Sequence, residues 1–429
     1  MKPLMTLSAA LLAATMTATG AAAAPYCDAL GDRDALPSKH QKRGPFHSDA
    51  ASGWIIGDDQ LRARFEMSAE ASLLLSAIRE EFTAQGATLA VVAAPPRPLF
   101  APGEALAAMG LAGYDAAATA AEFQAYVKAL NAVGVAAPDL LAALREGGEA
   151  VYFKRDTHWT PTGAALSAAA LADALKMRAD AAAPAMTGGY EEKGSLSAVA
   201  EAACGARPEA ETVAAPDFAK AGGADALLGD AAAGPALALI GTSFSDRYKR
   251  DAYRVADAIA HYTGAAVENA SISGGGATSA MEAFIRSGRI GEFDVVVWET
   301  PYSEPLTNLS ALRQILGALK SARIAASAEG QEIAVSREWA TVEPEIAITA
   351  EGAIELEIDG VEVGQLDVEL RGADGAKTRI KLRKSKRVEA GRRSDRWTFA
   401  LGSIDPQSID RIKIRLKGAE AATAIMRAL

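Results

Sequence analysis

The sequence predicts an α/β fold, a parallel β-sheet with flanking helices, followed by a C-terminal all-β sandwich module. Up to about residue 325, short apolar runs that end at glycine or proline alternate with longer helical segments, which is the pattern of strand–helix–strand units. From about residue 335, apolar and charged residues alternate with period two, which is typical of strands with one buried face. A chain of 429 residues is long enough for both domains.

In the first domain, predicted at residues 25–325, strands are expected where apolar runs are short. Helices are expected where the runs are longer and a capping residue precedes them, as Thr160 precedes Pro161. The predicted strands cover 88–94, 235–240, 268–272 and 294–299. The predicted helices cover 67–85, 115–132, 160–177, 246–262 and a segment from the glycine run 274–276 to about 286. The region 205–234 is rich in alanine and glycine and predicts a loop or insertion.

The second domain, predicted at residues 335–429, contains a hairpin signal at Asp359-Gly360 and a strongly basic strip. Between Arg371 and Lys417, fifteen Lys or Arg and five Asp or Glu give a local formal charge of +10, which leaves −20 for the rest of the chain. Alternation places four cations on one face of a strand: Lys377, Arg379, Lys381 and Arg383. Such a face attracts a polyanion. Two alternatives remain open, namely edge lysines that block aggregation and ion pairing with acidic strands at Glu355–Glu369.

Composition and the N-terminus predict an exported protein. The net charge of −10 argues against a nucleic-acid binder. Residues 1–24 combine a positive start at Lys2, a short apolar stretch and small residues at 21–24, which is typical of a signal peptide; an uncleaved membrane anchor is the alternative. No later apolar run is long enough to span a bilayer, so we expect a mature protein that does not cross the membrane.

The chain contains two cysteines, Cys27 and Cys204. In an exported chain such a pair predicts a disulfide, and two unrelated buried thiols are the alternative.

Two segments hold the parts of a Ser-His-Asp nucleophilic site. Asp156 and His158 lie two residues apart, so both side chains point the same way in an extended segment. An aspartate there can fix one imidazole nitrogen and leave the other to take a proton from serine. Ser243 directly follows the predicted strand 235–240 and precedes the predicted helix 246–262. At that place its hydroxyl lies at the carboxyl end of the sheet, and we expect its N–H near a helix N-terminus that favours an oxyanion.

With these motifs the chain resembles the alginate O-acetyltransferase family of AlgX and AlgJ. The family's Asp-x-His-Trp signature matches residues 156–159, and its serine motif matches Gly241 to Ser245. The resemblance implies an SGNH hydrolase-like domain in permuted order, because the Asp/His segment precedes the serine. It further implies a carbohydrate-binding-like C-terminal module, as in AlgX. The residues that this resemblance makes catalytic are Ser243, His158 and Asp156.

The resemblance predicts a periplasmic O-acetyltransferase that acts on an exopolysaccharide, in the first place alginate, without a cofactor or metal. The expected partners are an anionic polysaccharide, an acetyl donor or acetyl-relay protein, and an alginate secretion complex. Two alternatives remain open: an acetylesterase that uses the same residues, because both pass through one acyl-enzyme, and a non-catalytic polysaccharide-binding protein. An ordinary SGNH enzyme carries an asparagine oxyanion donor, but here the corresponding strand ends in Trp298-Glu299-Thr300-Pro301-Tyr302.

The remaining candidates are donors for the oxyanion and side chains that could contact the substrate. The oxyanion candidates are Gly275, Gly276 and Tyr302. Arginine forks match the carboxylates of a uronic acid, and aromatic faces stack on sugars, although packing is the alternative role for the tryptophans and solvent exposure for the arginines. The substrate-binding candidates near the motifs are Trp159, Arg155, Arg247, Tyr248, Arg250 and Trp298, in addition to the four cations of the basic strand.

Overall fold

A computed structural model describes residues 25–218, 234–324, 326, 329–348, 352–358, 363–418 and 421–429. The signal-peptide prediction for residues 1–24 lies outside this range. The helices are α1 Ser38–Gln41, α2 Asp58–Leu61, α3 Ala69–Ala84, α4 Gly103–Ala108, α5 Ala116–Ala132, α6 Leu140–Arg145, α7 Pro161–Ala174, α8 Ser195–Cys204, α9 Val255–Thr263, α10 Ala277–Arg286 and α11 Leu309–Arg323. The strands are β1 Phe46–Asp49, β2 Trp54–Gly57, β3 Thr88–Ala93, β4 Ala185–Glu192, β5 Glu211–Asp217, β6 Ala236–Ile240, β7 Ala266–Asn269, β8 Val295–Thr300, β9 Gln331–Ser336, β10 Ala340–Val342, β11 Ala353–Ile358, β12 Gln365–Gly372, β13 Lys377–Arg383, β14 Arg396–Ala400, β15 Ile409–Lys417 and β16 Ala421–Ala428.

A parallel sheet with the strand order β3-β8-β6-β7 forms the centre of the first domain and confirms the predicted fold class. Its strands β3, β6 and β8 are buried along almost their whole length because helices cover them, whereas the edge strand β7 is partly exposed. The helices pack in two groups, one of α3, α10 and α11 and the other of α6, α7 and α9. In a parallel sheet the carboxyl ends of all strands meet at one edge, so the segments after β6 and β8 lie close together.

The helix expected at 246–262 begins only at Val255. The residues before it turn instead, because Tyr248, Lys249 and Arg254 adopt positive φ values. The Asp251 carboxylate then accepts the N–H groups of Val255 and Ala256 and caps the helix. A second difference lies in the region expected as a loop, where β5 pairs with β4 in an antiparallel hairpin.

The second domain is a sandwich of two four-stranded antiparallel sheets, ordered β10-β15-β12-β13 and β14-β11-β16-β9. The alternating apolar residues of both sheets face one shared core. Asp359-Gly360 lies outside the described residues. The strands on either side of it, β11 and β12, belong to different sheets, so they do not form the expected hairpin.

The last helix of the first domain, α11, lies against the sandwich. Its Arg313 is buried and donates to the carbonyls of Ala400 and Leu401. Gly317 brings the helix so close to β14 that a Cβ atom there would lie 2.5 Å from the backbone nitrogen of Phe399. The helix α11 of the first domain and the strand β14 of the sandwich are therefore packed directly against each other.

The predicted disulfide between Cys27 and Cys204 is confirmed. It joins the first described residues to the last residue of α8, beside a small apolar cluster that contains Leu30 and Leu196. Among the described residues, no helix combines the length and the apolar character needed to cross a membrane.

Candidate active site

The Asp-Thr-His-Trp segment forms a tight hairpin just before α7. Tyr152 and Trp159 face each other in an antiparallel bridge, and the Phe153 N–H donates to the His158 carbonyl. Thr160 then caps α7 by accepting the N–H of Gly163, as the sequence predicted. This turn holds the Asp156 and His158 side chains on the same side of the backbone.

The structure brings Ser243, His158 and Asp156 together in a row. The Nε2 atom of His158 lies 2.7 Å from the Ser243 Oγ atom. The Nδ1 atom of His158 contacts the Asp156 Oδ1 atom, which also accepts the His158 backbone N–H at 2.9 Å. Asp156 is fully buried and His158 is nearly so, whereas Ser243 is partly exposed. In this geometry the imidazole can take the serine proton while the aspartate stabilises the resulting positive charge.

Asp156 is held as a carboxylate by the groups that surround it. Burial alone raises its pKa, but the charge and hydrogen bond of His158, the charge of Arg247 and the Ser195 N–H together hold the pKa well below its usual range. The Ser195 N–H, at the start of α8, donates to Asp156 Oδ2 at 2.5 Å. The Arg247 Nη2 atom donates to the same oxygen at 2.9 Å.

Ser243 lies in a turn at the carboxyl end of β6, not at a helix N-terminus. The N–H groups of Ser245 and Asp246 donate to the Thr242 carbonyl and close this turn. The next helix begins only at Val255, so the expected stabilisation of an oxyanion by a helix dipole at Ser243 is wrong.

A buried glutamate supports the turn from below. Glu299 accepts the Thr242 N–H at 2.6 Å and the Thr242 hydroxyl at 3.0 Å. Gly241 permits this close approach, because a Cβ atom there would lie 2.3 Å from the Glu299 Oε2 atom. Burial raises the pKa of Glu299 to about 7.

The three oxyanion candidates differ in their availability. The Gly275 N–H already donates to the Ile272 carbonyl, which argues against this residue. Gly276 and Tyr302 both line the cleft at Ser243. The Tyr302 hydroxyl accepts a hydrogen bond from the Gln60 Nε2 atom at 2.7 Å, so its own proton is free to point elsewhere. Burial raises the pKa of Tyr302 to about 12, which keeps this proton in place.

Both candidate tryptophans are fully buried, which corrects their assignment to sugar stacking. The Trp159 indole N–H donates to the Phe244 carbonyl at 3.0 Å and so joins the Asp-Thr-His-Trp segment to the turn that contains Ser243. The Trp298 indole N–H donates to the Ala277 carbonyl at 3.2 Å.

The candidates with charged or hydroxyl groups are also placed differently from expectation. Arg247 is paired with Asp156 and Glu192 and is therefore not available for a substrate carboxylate. Arg155 lies 3.8 Å from Glu211, and Tyr248 donates its hydroxyl proton to Glu192 while its ring remains half exposed. Arg250 is exposed and stays a candidate.

A cleft of about 290 Å³ opens at Ser243, and several polar residues that the sequence did not single out line it. Arg43 and Asp59 form an ion pair at 3.2 Å on one side, and Glu304 lies on another. No local motif marks these residues, since Arg43 and Asp59 lie near the start of the described chain, far in sequence from Glu304 and from both motifs.

The cleft continues into a groove of about 770 Å³ between the two domains, which shares Gly276 and Glu304 with it. Lys381 and Arg383 line this groove.

The basic strand is β13, an edge strand whose four candidate cations are all exposed on one face. Arg379 is paired with Glu369 of β12 at 2.8 Å, which supports the ion-pairing alternative for that residue. Among the described residues, no group of three or more His, Cys, Asp or Glu is arranged to hold a metal ion.

Comparison with known proteins identifies relatives. Residues 51–302 match the family described as SGNH hydrolase-like domain, acetyltransferase AlgX. The alginate biosynthesis protein AlgX of Pseudomonas aeruginosa is 29% identical over 289 residues, which cover 62% of this chain and 58% of that protein. AlgX of Pseudomonas putida is 28% identical over 314 residues, which cover 68% of this chain and 64% of that protein. The matched stretch thus spans less than two thirds of the length of either relative.

A solved structure of Pseudomonas aeruginosa AlgX superimposes with a TM-score of 0.66 at 23% identity. The superposition covers 94% of this chain and 99% of that one. This likeness shows that the fold is shared.

Proposed function

Because this chain belongs to the SGNH hydrolase-like AlgX family, we propose that it is an O-acetyltransferase that acts through an acyl-serine intermediate on an exopolysaccharide, in the first place alginate. The observation that carries the proposal is the contact of 2.7 Å between His158 Nε2 and Ser243 Oγ, with Asp156 on the far side of the imidazole. The same arrangement serves an acetylesterase, so the acceptor decides between the two activities.

The proposed reaction has two halves. In the first, Ser243 Oγ attacks the carbonyl carbon of the acetyl donor while its proton passes to His158 Nε2. The tetrahedral intermediate collapses, the donor's leaving group takes the proton from His158, and the acetyl group remains on Ser243. In the second, a sugar hydroxyl gives its proton to His158 and attacks the acetyl-serine carbonyl, which releases Ser243 with its proton restored.

The negative charge of each tetrahedral intermediate needs donors that are already in place. The proposed donors are the backbone N–H groups of Ser243 and Gly276 and the Tyr302 hydroxyl. Both N–H groups are without an acceptor among the described residues. The phenol is oriented by Gln60, so its proton can be directed into the cleft.

The polymer is proposed to reach the cleft along the groove between the domains. Lys381 and Arg383 would attract its carboxylates there. The other proposed partners are an acetyl donor or acetyl-relay protein and an alginate secretion complex. The proposed location is the periplasm, which agrees with a disulfide that needs an oxidising compartment.

The test is incubation with a chromogenic acetyl ester, with and without oligomannuronate, followed by mass spectrometry of the sugar. We expect acetylated oligomannuronate, and faster release of the chromophore when the sugar is present. Release without any acetylated sugar would identify an esterase and overturn the transferase proposal.

The Ser243→Ala variant tests the nucleophile in the same assay. We expect acetylation to fall by about a thousandfold or more while the protein still binds the polymer. Acetylation that persists in this variant would refute the assignment of Ser243, and polymer binding without acetylation in the unaltered protein would identify a binding protein.

A further inference from the structure

A second buried carboxylate, Glu192, lies behind the proposed triad. It ends β4, and its side chain is completely enclosed. Its Oε1 atom accepts the Gly194 N–H at 3.0 Å and the Tyr248 hydroxyl at 2.7 Å, and its Oε2 atom accepts the Tyr253 hydroxyl at 3.1 Å. None of these partners carries a positive charge, and a buried carboxylate with neutral partners alone is costly.

Arg247 supplies the cation that Glu192 and Asp156 share. One nitrogen, Nη2, lies 2.9 Å from Asp156 Oδ2 and 3.3 Å from Glu192 Oε1. The Arg247 side chain is only 14% exposed. A single guanidinium thus separates two carboxylates that are both fully buried.

The position of Arg247 in the chain gives this contact a further consequence. It follows Ser243 by four residues, so the nucleophile and this cation belong to the same short segment after β6. This segment therefore meets the Asp-Thr-His-Trp hairpin at two points, Ser243 against His158 and Arg247 against Asp156.

The two carboxylate oxygens of Asp156 have different hydrogen-bond partners. Oδ1 faces the His158 imidazole, and Oδ2 is held by the Ser195 N–H and by Arg247. Since a carboxylate is planar, fixing Oδ2 from behind also fixes the direction in which Oδ1 accepts the imidazole N–H.

We propose that Arg247 and Glu192 are positioning residues of the acyl-transfer site. Arg247 fixes the carboxylate of Asp156 against His158. Glu192 neutralises Arg247, so that its charge does not oppose the imidazolium that forms when Ser243 loses its proton. The inference rests on the proposed function, because it assumes that His158 is the base.

The opposite charges of Arg247 and Glu192 predict that removing each of them shifts the protonation of His158 in an opposite direction. Removing Arg247 takes a cation away from the imidazolium and leaves Glu192 unpaired, and both changes favour protonated His158. Removing the charge of Glu192 leaves Arg247 uncompensated, which disfavours protonated His158. The other charged or titratable groups that face this region stay in place in every variant: Arg97, Tyr190, Tyr248, Tyr253, Arg43, Asp59 and Glu304.

The test measures kcat/KM for release of a chromogenic acetyl ester across pH in the full-length protein. For Arg247→Met we expect kcat to fall by about 10- to 100-fold, because the base is less well oriented. We also expect the acid limb of the profile to move to higher pH by about one unit. For Glu192→Gln we expect the acid limb to move in the opposite direction, to lower pH.

The double variant separates charge from position. With both charges removed, we expect the acid limb to return towards that of the unaltered protein while kcat stays low. Arg247→Lys keeps the charge but puts a compact ammonium group in place of the planar guanidinium, so we expect an unshifted limb and an activity between those of Arg247→Met and the unaltered protein. Acid limbs that move in the same direction in both single variants, or do not move, would overturn the proposal.

Arg178 provides a matched control. Arg247 combines its ion pairs with the Tyr248 ring, whose centre lies 4.3 Å from its guanidinium carbon. Arg178 likewise combines an ion pair with Asp173 at 3.1 Å and the Tyr262 ring at 4.9 Å, but it does not line the cleft. We expect Arg178→Met to leave the profile unchanged. Thermal unfolding of each variant, followed by circular dichroism, shows whether Arg247→Met folds, and Arg247→Lys and Glu192→Gln keep the inference testable if it does not. Activity that survives Ser243→Ala would instead refute the proposed function, so the two failures are distinguishable.

Discussion

Replacing Glu299 by glutamine is expected to change how the stability of the protein depends on pH. Glu299 is fully buried beneath the serine turn, and burial raises its pKa from the ordinary value of 4.5 to about 7. The folded protein therefore retains a proton that the unfolded chain has already released between these two values. Protonated Glu299 contributes stability that is fully present below about pH 4.5 and is lost as the pH rises through about 7.

The size of this contribution follows from the two pKa values. A rise from 4.5 to about 7 corresponds to about 3 kcal/mol, at about 1.4 kcal/mol for each unit. Glutamine keeps an oxygen that can accept the Thr242 N–H but carries no charge at any pH. The free energy of unfolding of Glu299→Gln, relative to the unaltered protein, should therefore improve by about 3 kcal/mol between about pH 4.5 and about pH 8.

The assay is urea unfolding at both pH values, followed by circular dichroism, and the comparison between variants removes the effect of all other groups. Glu209→Gln is the control, because Glu209 is an exposed carboxylate outside the site. It should show no such change between the two pH values. A difference between Glu299→Gln and the unaltered protein that is the same at both pH values would refute the reasoning.

The remaining predictions concern close contacts and the crosslink. Gly241→Ala should destabilise the protein by about 1–3 kcal/mol and slow acetyl release, because its Cβ would lie 2.3 Å from the buried Glu299 carboxylate. Urea unfolding measures the stability and ester kinetics measure the acetyl release, and an unchanged stability and rate would contradict the prediction. Replacing Cys27 and Cys204 by serine removes a crosslink between residues 177 positions apart, and urea unfolding should show a loss of about 3–5 kcal/mol in the free energy of unfolding. The unaltered protein should show the same loss under reducing conditions, and a variant as stable as the oxidised protein would contradict the prediction. Gly317→Ala should lower the thermal midpoint by a few degrees, because its Cβ meets the backbone of the sandwich at 2.5 Å; a midpoint equal to that of the unaltered protein would show that the helix can move away at no cost.

The sequence was sufficient for those parts of the fold and site that depend on short-range patterns. The buried strands follow from apolar runs of five or six residues, and the sandwich follows from period-two alternation. Asp156 and His158 lie two residues apart, so a local hairpin alone sets their relation. Thr160 and Pro161 signal the start of α7 without any tertiary contact.

The parts that sequence reasoning missed depend on distant contacts or on competing local bonds. The Asp251 carboxylate accepts the N–H groups of Val255 and Ala256 and so sets the start of α9 there. The helix is therefore shorter than the one predicted from residue 246. Gly275 is an oxyanion candidate by its place in the sequence, but its N–H donates to the Ile272 carbonyl, a bond that the sequence does not signal. Arg247 resembles any arginine beside a motif until the fold brings Asp156 and Glu192, 91 and 55 residues away, to its side.

The crosslink between Cys27 and Cys204 has a consequence for how the site is divided along the chain. The closed loop contains Asp156 and His158 but not Ser243, and of the four strands in the parallel sheet only β3 belongs to it. A backbone cut between residues 204 and 236 would therefore yield one piece with Asp156 and His158 and another with Ser243. The sheet joins these pieces along a single seam, where Val92 of β3 pairs with Glu299 of β8. Outside the sheet, the hydrogen bonds from Trp159 to Phe244 and from Arg247 to Asp156 join the two pieces directly at the site, so the crosslinked loop and the rest of the chain must dock on each other to bring His158 to Ser243.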